Sequence, residues 1–188
     1  MNYYDDPKNA EQYIKMADGY DGQKLIDRLL TYLPAGTTVL ELGMGPGTDL
    51  ELLAQHYVVT GSDRAQPFLD RYRALNNSAD LLLLDAVTLE TERTFDAIYS
   101  NKVLYHLTRD ELRQSFARQV DLLNPGGIAL HSFWVGEDEE DQHGLHFAYY
   151  TEETLRAQIG AAFEVLEIGR YTEMSADDSL WIILRKLA

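Results

Sequence analysis

The sequence contains no cysteine among its 188 residues. Disulfide bonds and thiolate metal centres are therefore excluded, although the redox compartment stays open. Long apolar runs are also missing, since none approaches the roughly 20 residues that a membrane-spanning helix needs. The polar start, Met1 to Asp6, lacks the basic and apolar regions of a signal peptide. We therefore expect a cytoplasmic protein with no membrane partner.

Basic residues are scarce. Sixteen Lys and Arg residues stand against thirty-one Asp and Glu residues, which gives a formal net charge of -15. A charge of this sign repels phosphate backbones and anionic membrane surfaces. The composition therefore predicts that nucleic acid is not a partner.

A chain of this length with 45% hydrophobic residues can bury one substantial core but is short for two domains. We predict a single domain over residues 1–188. Residues 1–32 are expected to form a helical lid segment, residues 33–134 the ligand-binding core, and residues 135–188 a loop on the substrate side followed by an edge hairpin. The oligomeric state cannot be read from the sequence.

Strand and helix patterns alternate along the chain. The apolar runs that predict strands are Thr38–Leu42, Tyr57–Gly61, Asp80–Leu84, Ala97–Ser100 and Gly127–Trp134. Helical periodicity occurs at Lys24–Tyr32, Asp49–His56 and Arg109–Leu123. This alternation predicts right-handed crossovers and a parallel sheet with helices on both faces.

The pattern changes after Trp134. Val135–Phe147 is predicted to be a loop with an acidic run, and Thr151 has the sequence context of a helix N-cap. Two more strands, Phe163–Ile168 and Leu180–Leu184, are joined by a polar connection typical of a hairpin. We therefore predict an α/β fold: a single-domain, three-layer α-β-α Rossmann-like sheet of seven strands, mostly parallel, with an antiparallel C-terminal hairpin at its edge.

Three glycines at alternate positions, Gly43, Gly45 and Gly47, follow the first predicted strand. Glycine tolerates backbone angles that other residues avoid and has no Cβ, so a ligand can approach such a turn closely at the start of a helix. A turn of this kind typically holds a nucleotide-like ligand. Taken alone, the glycines are also compatible with a tight turn that binds nothing.

The glycine spacing narrows the choice of ligand. A dinucleotide fingerprint requires Gly-x-Gly-x-x-Gly, but Gly47 comes one residue early and Thr48 occupies the third glycine position. The Walker pattern fails as well, because no Gly-Lys-Ser/Thr follows. Glu41 adds a carboxylate that suits an ammonium or sulfonium cation and would repel a pyrophosphate. The pattern therefore favours a positively charged adenosyl ligand.

The run Glu41-Leu42-Gly43-Met44-Gly45-Pro46-Gly47 resembles the acidic-x-Gly-x-Gly-x-Gly signature of class I S-adenosylmethionine-dependent methyltransferases. The resemblance extends in family order from about Leu33 to Trp134. Glu41 departs from the commoner aspartate, which leaves the expected fold unchanged. The resemblance implies S-adenosylmethionine as the cofactor and S-adenosylhomocysteine as its product.

The resemblance also implies roles for carboxylates at later strand ends. Asp63 stands where the family binds the ribose hydroxyls, and Asp85 stands where it binds the adenine amino group, with the amide of Ala86 nearby. Either aspartate alone is more often a helix cap or a turn residue. The predicted cofactor-binding residues are Glu41, Gly43, Gly45, Gly47, Asp63, Arg64, Asp85, Ala86 and Asn101.

Methyl transfer from a sulfonium is an in-line displacement with an excellent leaving group, so the protein mainly aligns the nucleophile and excludes water. A base is needed only when the acceptor must first lose a proton. His106 is the predicted catalytic base, because an unperturbed histidine pKa of ~6.5 suits proton transfer near neutrality. A packing or capping role is the alternative for this residue.

Aromatic and histidine side chains are the candidates for contacting a methyl acceptor. They are Tyr13, Tyr20, Tyr105, Trp134, His143, His146 and Tyr149. Two of the histidines lie beside the acidic run, but their spacing in a loop is a weak metal signal and we predict no metal. The sequence therefore predicts methyl transfer to a small molecule, with oxygen or nitrogen slightly favoured as the acceptor atom.

Other functions stay open at this point. One is a protein that binds the cofactor without catalysis, for instance as a regulatory partner of a second subunit. Another is a nicotinamide-dependent oxidoreductase. A methyltransferase that acts on proteins is also compatible with the sequence, although no acceptor-peptide motif can be read from it.

Overall fold

The computed structural model describes residues 3–142 and 144–187, and a mixed sheet of seven strands organises them. In chain order the strands are β1 (Thr38–Leu42), β2 (Val58–Asp63), β3 (Leu81–Leu83), β4 (Phe95–Ser100), β5 (Leu123–Trp134), β6 (Glu139–Gln142), β7 (Leu145–Ala148), β8 (Phe163–Tyr171) and β9 (Ser179–Lys186). The helices are α1 (Pro7–Met16), α2 (Gln23–Leu29), α3 (Thr48–Leu53), α4 (Gln66–Leu75), α5 (Arg109–Leu122) and α6 (Glu152–Arg156), with short 3-10 turns at Tyr3–Asp5 and Leu104–His106.

The strand order in the main sheet is β3-β2-β1-β4-β5-β9-β8. The first five strands are parallel, whereas β9 lies antiparallel between β5 and β8. The predicted fold is therefore confirmed, including the antiparallel hairpin. The carboxyl ends of β1 to β5 and of β8 meet at one edge of the sheet, where β9 begins.

Helices cover both faces of the sheet because successive strand residues point to opposite sides. In β4, Ile98 is buried in the cluster that contains Phe116 of α5, whereas Tyr99 is buried in the cluster that contains Leu25 of α2. All four side chains are at most 1% exposed. The three-layer arrangement follows from this alternation. Among the helices of the described residues, none has the length and apolar character needed to cross a membrane.

The predicted loop at Val135–Phe147 is wrong, because β6 and β7 pair there as an antiparallel hairpin. Polar contacts between side chains hold it together: the hydroxyl of Tyr149 donates to Glu140, and Nδ1 of His146 lies 2.9 Å from Asp141. Contacts of this kind leave no apolar alternation in the sequence. The predicted N-cap at Thr151 is confirmed, since its hydroxyl accepts from the backbone of α6.

Helix α4 was not among the predicted elements. Its N-cap, Ala65, makes no capping hydrogen bond through its side chain, so the usual start signal is missing. The buried face consists of Phe68, Leu69 and Tyr72. This helix matters for the site because Phe68 reaches the carboxyl edge of the sheet.

Candidate functional site

Three adjoining cavities lie at the carboxyl edge of the sheet. We call them cavities A, B and C and define each by the residues that line it. Cavity A is lined by Tyr4, Tyr13, Gly43, Gly45, Asp63, Arg64, Phe68, Leu84, Asp85, Ala86, Lys102, Val103, His106, Leu107 and Leu145. Cavity B is lined by Tyr13, Ala17, Tyr20, Asp21, Glu41, Gly43, Met44, Gly45, Pro46, Thr48, Asp49, Asn101, Lys102 and Glu173. Cavity C is lined by Gly19, Tyr20, Asp21, Gly22, Lys24, Leu25, Asn101, Tyr171, Thr172 and Glu173. Cavity B shares lining residues with both of the others, so the three are neighbours along this edge, and we call them together the cleft.

The glycine turn forms the floor between cavities A and B. Gly45 has a φ of 49° and donates its N–H to Oδ2 of Asp63 at 2.9 Å. Gly47 has a φ of 92° and caps α3, and a Cβ added there would lie 2.3 Å from the ring of Tyr72. The turn thus requires glycine both for its backbone angles and for the space beside α4.

Asp63 is fixed by backbone donors at the end of β2. Oδ1 accepts from the N–H of Ala65 at 2.8 Å, while Oδ2 accepts from Gly45. The residue is only 7% exposed, and burial raises the pKa of its carboxyl. Each oxygen keeps a second lone pair, so the carboxylate can still accept from a pair of hydroxyls in cavity A.

Glu41 is the least satisfied polar group of the site. It is 3% exposed, and its Oε2 has no hydrogen-bond partner among the described residues. Burial raises the pKa of Glu41 well above its usual range, and the nearby carboxylates of Asp49 and Asp63 add to this shift. Because a buried carboxylate is costly unless it is paired, this lining group of cavity B is suited to a cationic ligand.

Asp49 and Asn101 brace the wall of cavity B. Asp49 accepts from the N–H of Gly22 at 2.7 Å, from the hydroxyl of Tyr99 at 2.7 Å and from the amide of Asn101 at 3.1 Å. Burial raises the pKa of Asp49, while these donors oppose the shift. Asn101, predicted to contact the cofactor, lines cavities B and C, whereas Asp49 was missed because nothing in its sequence context marks it.

The remaining predicted cofactor residues line cavity A. Oδ1 of Asp85 accepts from the N–H of Val87 at 2.8 Å, which fixes the turn after β3. Arg64 approaches Asp85 at 3.9 Å, and both side chains are partly exposed. Ala86 lies in the same wall. These three residues and Asp63 therefore line the same cavity.

A buried hydrogen-bonded chain that sequence reasoning missed connects β4 to Ala86. Ser100 lies 2.8 Å from Nδ1 of His131, and Nε2 of His131 lies 2.9 Å from the amide oxygen of Gln119. Gln119 donates to Ser115, whose hydroxyl donates to the carbonyl of Ala86 at 2.6 Å. Burial lowers the pKa of His131 to about 3, so the ring stays neutral and the chain keeps one direction of donation.

His106, the predicted base, lines cavity A beside Asp85 and Ala86. Its Nδ1 lies 2.8 Å from the carbonyl oxygen of His146 and must donate to it, which leaves Nε2 as the acceptor nitrogen. Burial lowers the pKa of His106, so the ring is neutral at pH 7. The geometry allows a base, and it also places the ring at the end of the cleft where the adenine was predicted.

Some of the residues predicted to contact the methyl acceptor line the three cavities, and others do not. Tyr13 lines cavities A and B, and Tyr20 lines cavities B and C. Four others are not among the residues that line the three cavities: Tyr105, Trp134, His146 and Tyr149. His143 lies outside the described residues. Within the described residues, no group of three or more His, Asp or Glu side chains is arranged to hold a metal ion.

Lys102 and Glu173 line the cleft but were not predicted. Lys102 has a φ of 53°, which a non-glycine residue rarely adopts, and its side chain is only 10% exposed. Its Nζ donates to Glu173 at 2.7 Å and lies 3.2 Å from the centre of the Trp134 ring. Burial lowers the pKa of Lys102, although Glu173 opposes the shift. The left-handed backbone at Lys102 is a signal that only the structure shows.

Comparison with known proteins agrees with this geometry. Residues 39–127 match a family described as a methyltransferase domain. The tRNA (carboxymethyluridine(34)-5-O)-methyltransferase of Saccharomyces cerevisiae is 30% identical over 129 residues, which cover 68% of this chain and 46% of that protein. An uncharacterized methyltransferase of Geobacillus kaustophilus is 30% identical over 142 residues, which cover 70% of this chain and 66% of that protein. The chain thus spans about half of the first relative and just under two thirds of the second.

Solved structures show the same fold. The N-methyltransferase NodS from Bradyrhizobium japonicum, in complex with S-adenosyl-L-homocysteine, superposes with a TM-score of 0.69 at 23% identity, covering 87% of this chain and 84% of NodS. Over residues 39–127 the chain thus resembles methyltransferases in sequence, and its described residues have the fold of class I S-adenosylmethionine-dependent methyltransferases.

Proposed function

We propose that the protein binds S-adenosylmethionine across cavities A and B and transfers its methyl group to a small molecule. The observation that carries this proposal is the buried carboxyl group of Glu41, which is 3% exposed, lines the glycine-lined cavity B and has one oxygen with no hydrogen-bond partner among the described residues. An ammonium or sulfonium group would neutralise it. The cofactor supplies the activated methyl group, and the protein holds and orients the reactants.

The assignment of residues follows the lining of the cleft. In cavity A, Asp63 would accept from the ribose hydroxyls, and Asp85 with the amide of Ala86 would hold the adenine. In cavity B, Glu41 would face the cationic end of the cofactor, with Asn101 beside it. The sulfur of S-adenosylhomocysteine carries no charge. One favourable charge contact with Glu41 is therefore lost after the transfer, which favours release of the product.

We also propose that residues 1–32 act as a lid over cavity A. Tyr13 of α1 and Tyr4 before it line this cavity and pack against Phe68, with ring centres 5.8 Å from Phe68 for Tyr13 and 5.7 Å for Tyr4. Burial raises the pKa of Tyr13 to about 12, so its hydroxyl stays protonated beside Asp63. A lid at this position excludes water from a bound cofactor.

A small-molecule acceptor is favoured by charge. The net charge of -15 and the carboxylates in the walls of cavities B and C oppose the approach of a polyanion. The yeast relative, however, is named as a tRNA methyltransferase, so tRNA is the second acceptor to test. A direct assay with both acceptors decides between them.

Two measurements test the proposed function. Calorimetry should show binding of S-adenosylhomocysteine and no binding of NADH; the reverse result would identify a nicotinamide-dependent enzyme. Transfer of tritium from S-[methyl-³H]adenosylmethionine should then label the small-molecule filtrate of a cell extract and leave total tRNA unlabelled. Labelling of tRNA alone would replace the small-molecule proposal, and binding without any transfer would identify a catalytically silent protein.

We expect Glu41→Gln to have opposite effects on stability and binding. The raised pKa of Glu41 means that the ligand-free protein loses stability as the pH rises above the ordinary glutamate pKa of ~4.3. Removal of the charge should therefore raise the Tm at pH 7 and flatten its decline with pH. Affinity for S-adenosylmethionine should fall about 10- to 100-fold, because a charge-assisted contact is lost.

Thermal unfolding between pH 5 and pH 8 and calorimetry check the Glu41 prediction, with the exposed Glu51→Gln as the matched control. The control should change neither quantity. A Glu41→Gln variant that is less stable at pH 7, or that binds the cofactor as tightly as the original protein, would contradict the assignment.

His106→Ala should lower turnover about 100-fold if His106 serves as the base, with a smaller change in affinity for S-adenosylhomocysteine. The assay uses the acceptor fraction that the tritium experiment labels, and His56→Ala, outside the cleft, is the control. Unchanged turnover would remove His106 from catalysis. A loss confined to cofactor affinity would assign His106 to the adenine end of cavity A.

A further inference from the structure

Cavity C borders the place where the methyl group would be transferred, if the proposed function holds. Tyr20, Asp21, Asn101 and Glu173 line both cavity B and cavity C. Cavity C therefore adjoins the cavity in which the cationic end of the cofactor is proposed to bind. Cavity C is consequently the candidate site for the acceptor, rather than the β6–β7 hairpin.

The charges around cavity C favour a cation. Asp21 and Glu173 line it, whereas Glu41, Asp49 and Lys102 line the adjoining cavity B, where Lys102 is paired with Glu173. Lys24 is the one cation among the lining residues of cavity C, and it is exposed to solvent. The balance of the lining groups is therefore negative, and it should raise the local concentration of positively charged ligands.

The carboxylate of Glu173 already binds one alkylammonium group, the side-chain ammonium of Lys102. The Nζ of Lys102 lies 2.7 Å from Oε2 of Glu173, 2.7 Å from the hydroxyl of Ser179 and 3.2 Å from the centre of the Trp134 ring. The ring of Tyr171 is 5.3 Å away. A carboxylate combined with aromatic faces is the usual protein environment for an amine cation.

Glu173 is positioned before any ligand arrives. Its own N–H and the N–H groups of Met174 and Ser175 all donate to the carboxylate of Asp178, which fixes the turn between β8 and β9. The hydrogen bonds from Lys102, Tyr171 and Ser179 converge on Oε2 of Glu173. None of these three hydrogen bonds involves the second oxygen, Oε1, and this is the oxygen that we assign to a ligand in cavity C.

We propose that the methyl acceptor is a small molecule with a primary or secondary amine, bound in cavity C by Glu173 against the rings of Tyr20 and Tyr171. The ammonium first gives a proton to Oε1 of Glu173. The nitrogen lone pair then forms the N–CH₃ bond while the C–S bond breaks and its electron pair stays on sulfur. The methylated ammonium retains its positive charge, and the proton on Glu173 leaves to solvent.

Matched probes in the presence of saturating S-adenosylhomocysteine test this assignment. The probes are 2-phenylethylamine, 2-phenylethanol and phenylacetate, which share one aromatic body and differ in charge. At pH 7 we expect calorimetry to give at least about tenfold tighter binding for the amine than for the other two. Equal binding of the three probes, or tighter binding of phenylacetate, overturns the proposal.

Variants of the same turn identify the group responsible. Glu173→Gln should abolish the amine preference, whereas Asp177→Asn, which removes an exposed charge four residues away, should retain it. An amine preference that survives in Glu173→Gln overturns the assignment. If Glu173→Gln does not fold, Asp21→Asn provides the second reading, with an expected two- to fivefold loss of amine affinity. Failure of the unmodified protein to bind S-adenosylhomocysteine would instead reject the proposed function itself.

Discussion

Asp63→Ala is expected to weaken the binding of S-adenosylhomocysteine about 100-fold, because the ribose would lose a carboxyl acceptor for both of its hydroxyls. The variant should also be less stable in the absence of ligand. The N–H groups of Gly45 and Ala65 would lose their shared acceptor, at roughly 1–3 kcal/mol for each donor that stays buried without a partner. Calorimetry and chemical denaturation measure the two effects separately.

Two further variants show whether the effects at Asp63 are specific. Asp63→Asn keeps one carbonyl acceptor, but its NH₂ would oppose a backbone donor, so its affinity should fall between those of the alanine variant and the original protein. Asp70→Ala, an exposed position on α4, should leave binding unchanged. If Asp63→Ala bound the ligand with unchanged affinity, the carboxylate would have no part in the ribose site.

Gly47→Ala should unfold at a clearly lower temperature and should bind no cofactor in the accessible concentration range. A Cβ at this position would lie 2.3 Å from Cε2 of Tyr72, and the φ of 92° disfavours any other residue. The backbone strain costs roughly 1–2 kcal/mol, and overpacking against a buried ring adds typically 1–3 kcal/mol. Movement of the Gly47 backbone or of the Tyr72 ring would also distort the glycine turn, which lines cavities A and B.

Gly36→Ala is the matched control for the glycine turn. Gly36 has a similar φ of 84°, but an added Cβ would meet nothing within 4 Å. The control should therefore show the backbone strain alone, with a small decrease in Tm and normal binding. Equal losses of stability in the two variants would mean that Tyr72 moves aside without cost, and the steric argument would be wrong.

The core of the fold could be predicted because local signals coincide there. In Val39 to Gly47 an apolar strand runs directly into alternate glycines, and both features depend only on neighbouring residues. Asp63 and Asp85 also end apolar strands, but their predicted roles came from the resemblance to the methyltransferase family. The family match and the similar solved structures confirm this class of fold, whereas the individual roles of these residues stay predictions.

The rest of the cleft depends on contacts between distant parts of the chain. Lys102 meets Glu173 only because β9 inserts between β5 and β8, and sequence patterns do not reveal that insertion's side-chain contacts. Tyr4 reaches cavity A through the packing of α1 on α4. The hairpin of β6 and β7 escaped prediction because polar pairs hold it together, and these leave no hydrophobic periodicity to detect.

The antiparallel direction of β9 separates its two ends by function. Ser179 opens the strand beside Lys102, whereas Lys186 lies at the opposite edge of the sheet, where its Nζ donates to the carbonyl of Leu123 at the start of β5. A fluorophore or a sensor surface attached near Lys186 therefore stays clear of the cleft. The same attachment near Tyr4 would obstruct ligand entry. A label for binding assays should therefore be coupled near Lys186, where it does not itself change the measured affinity.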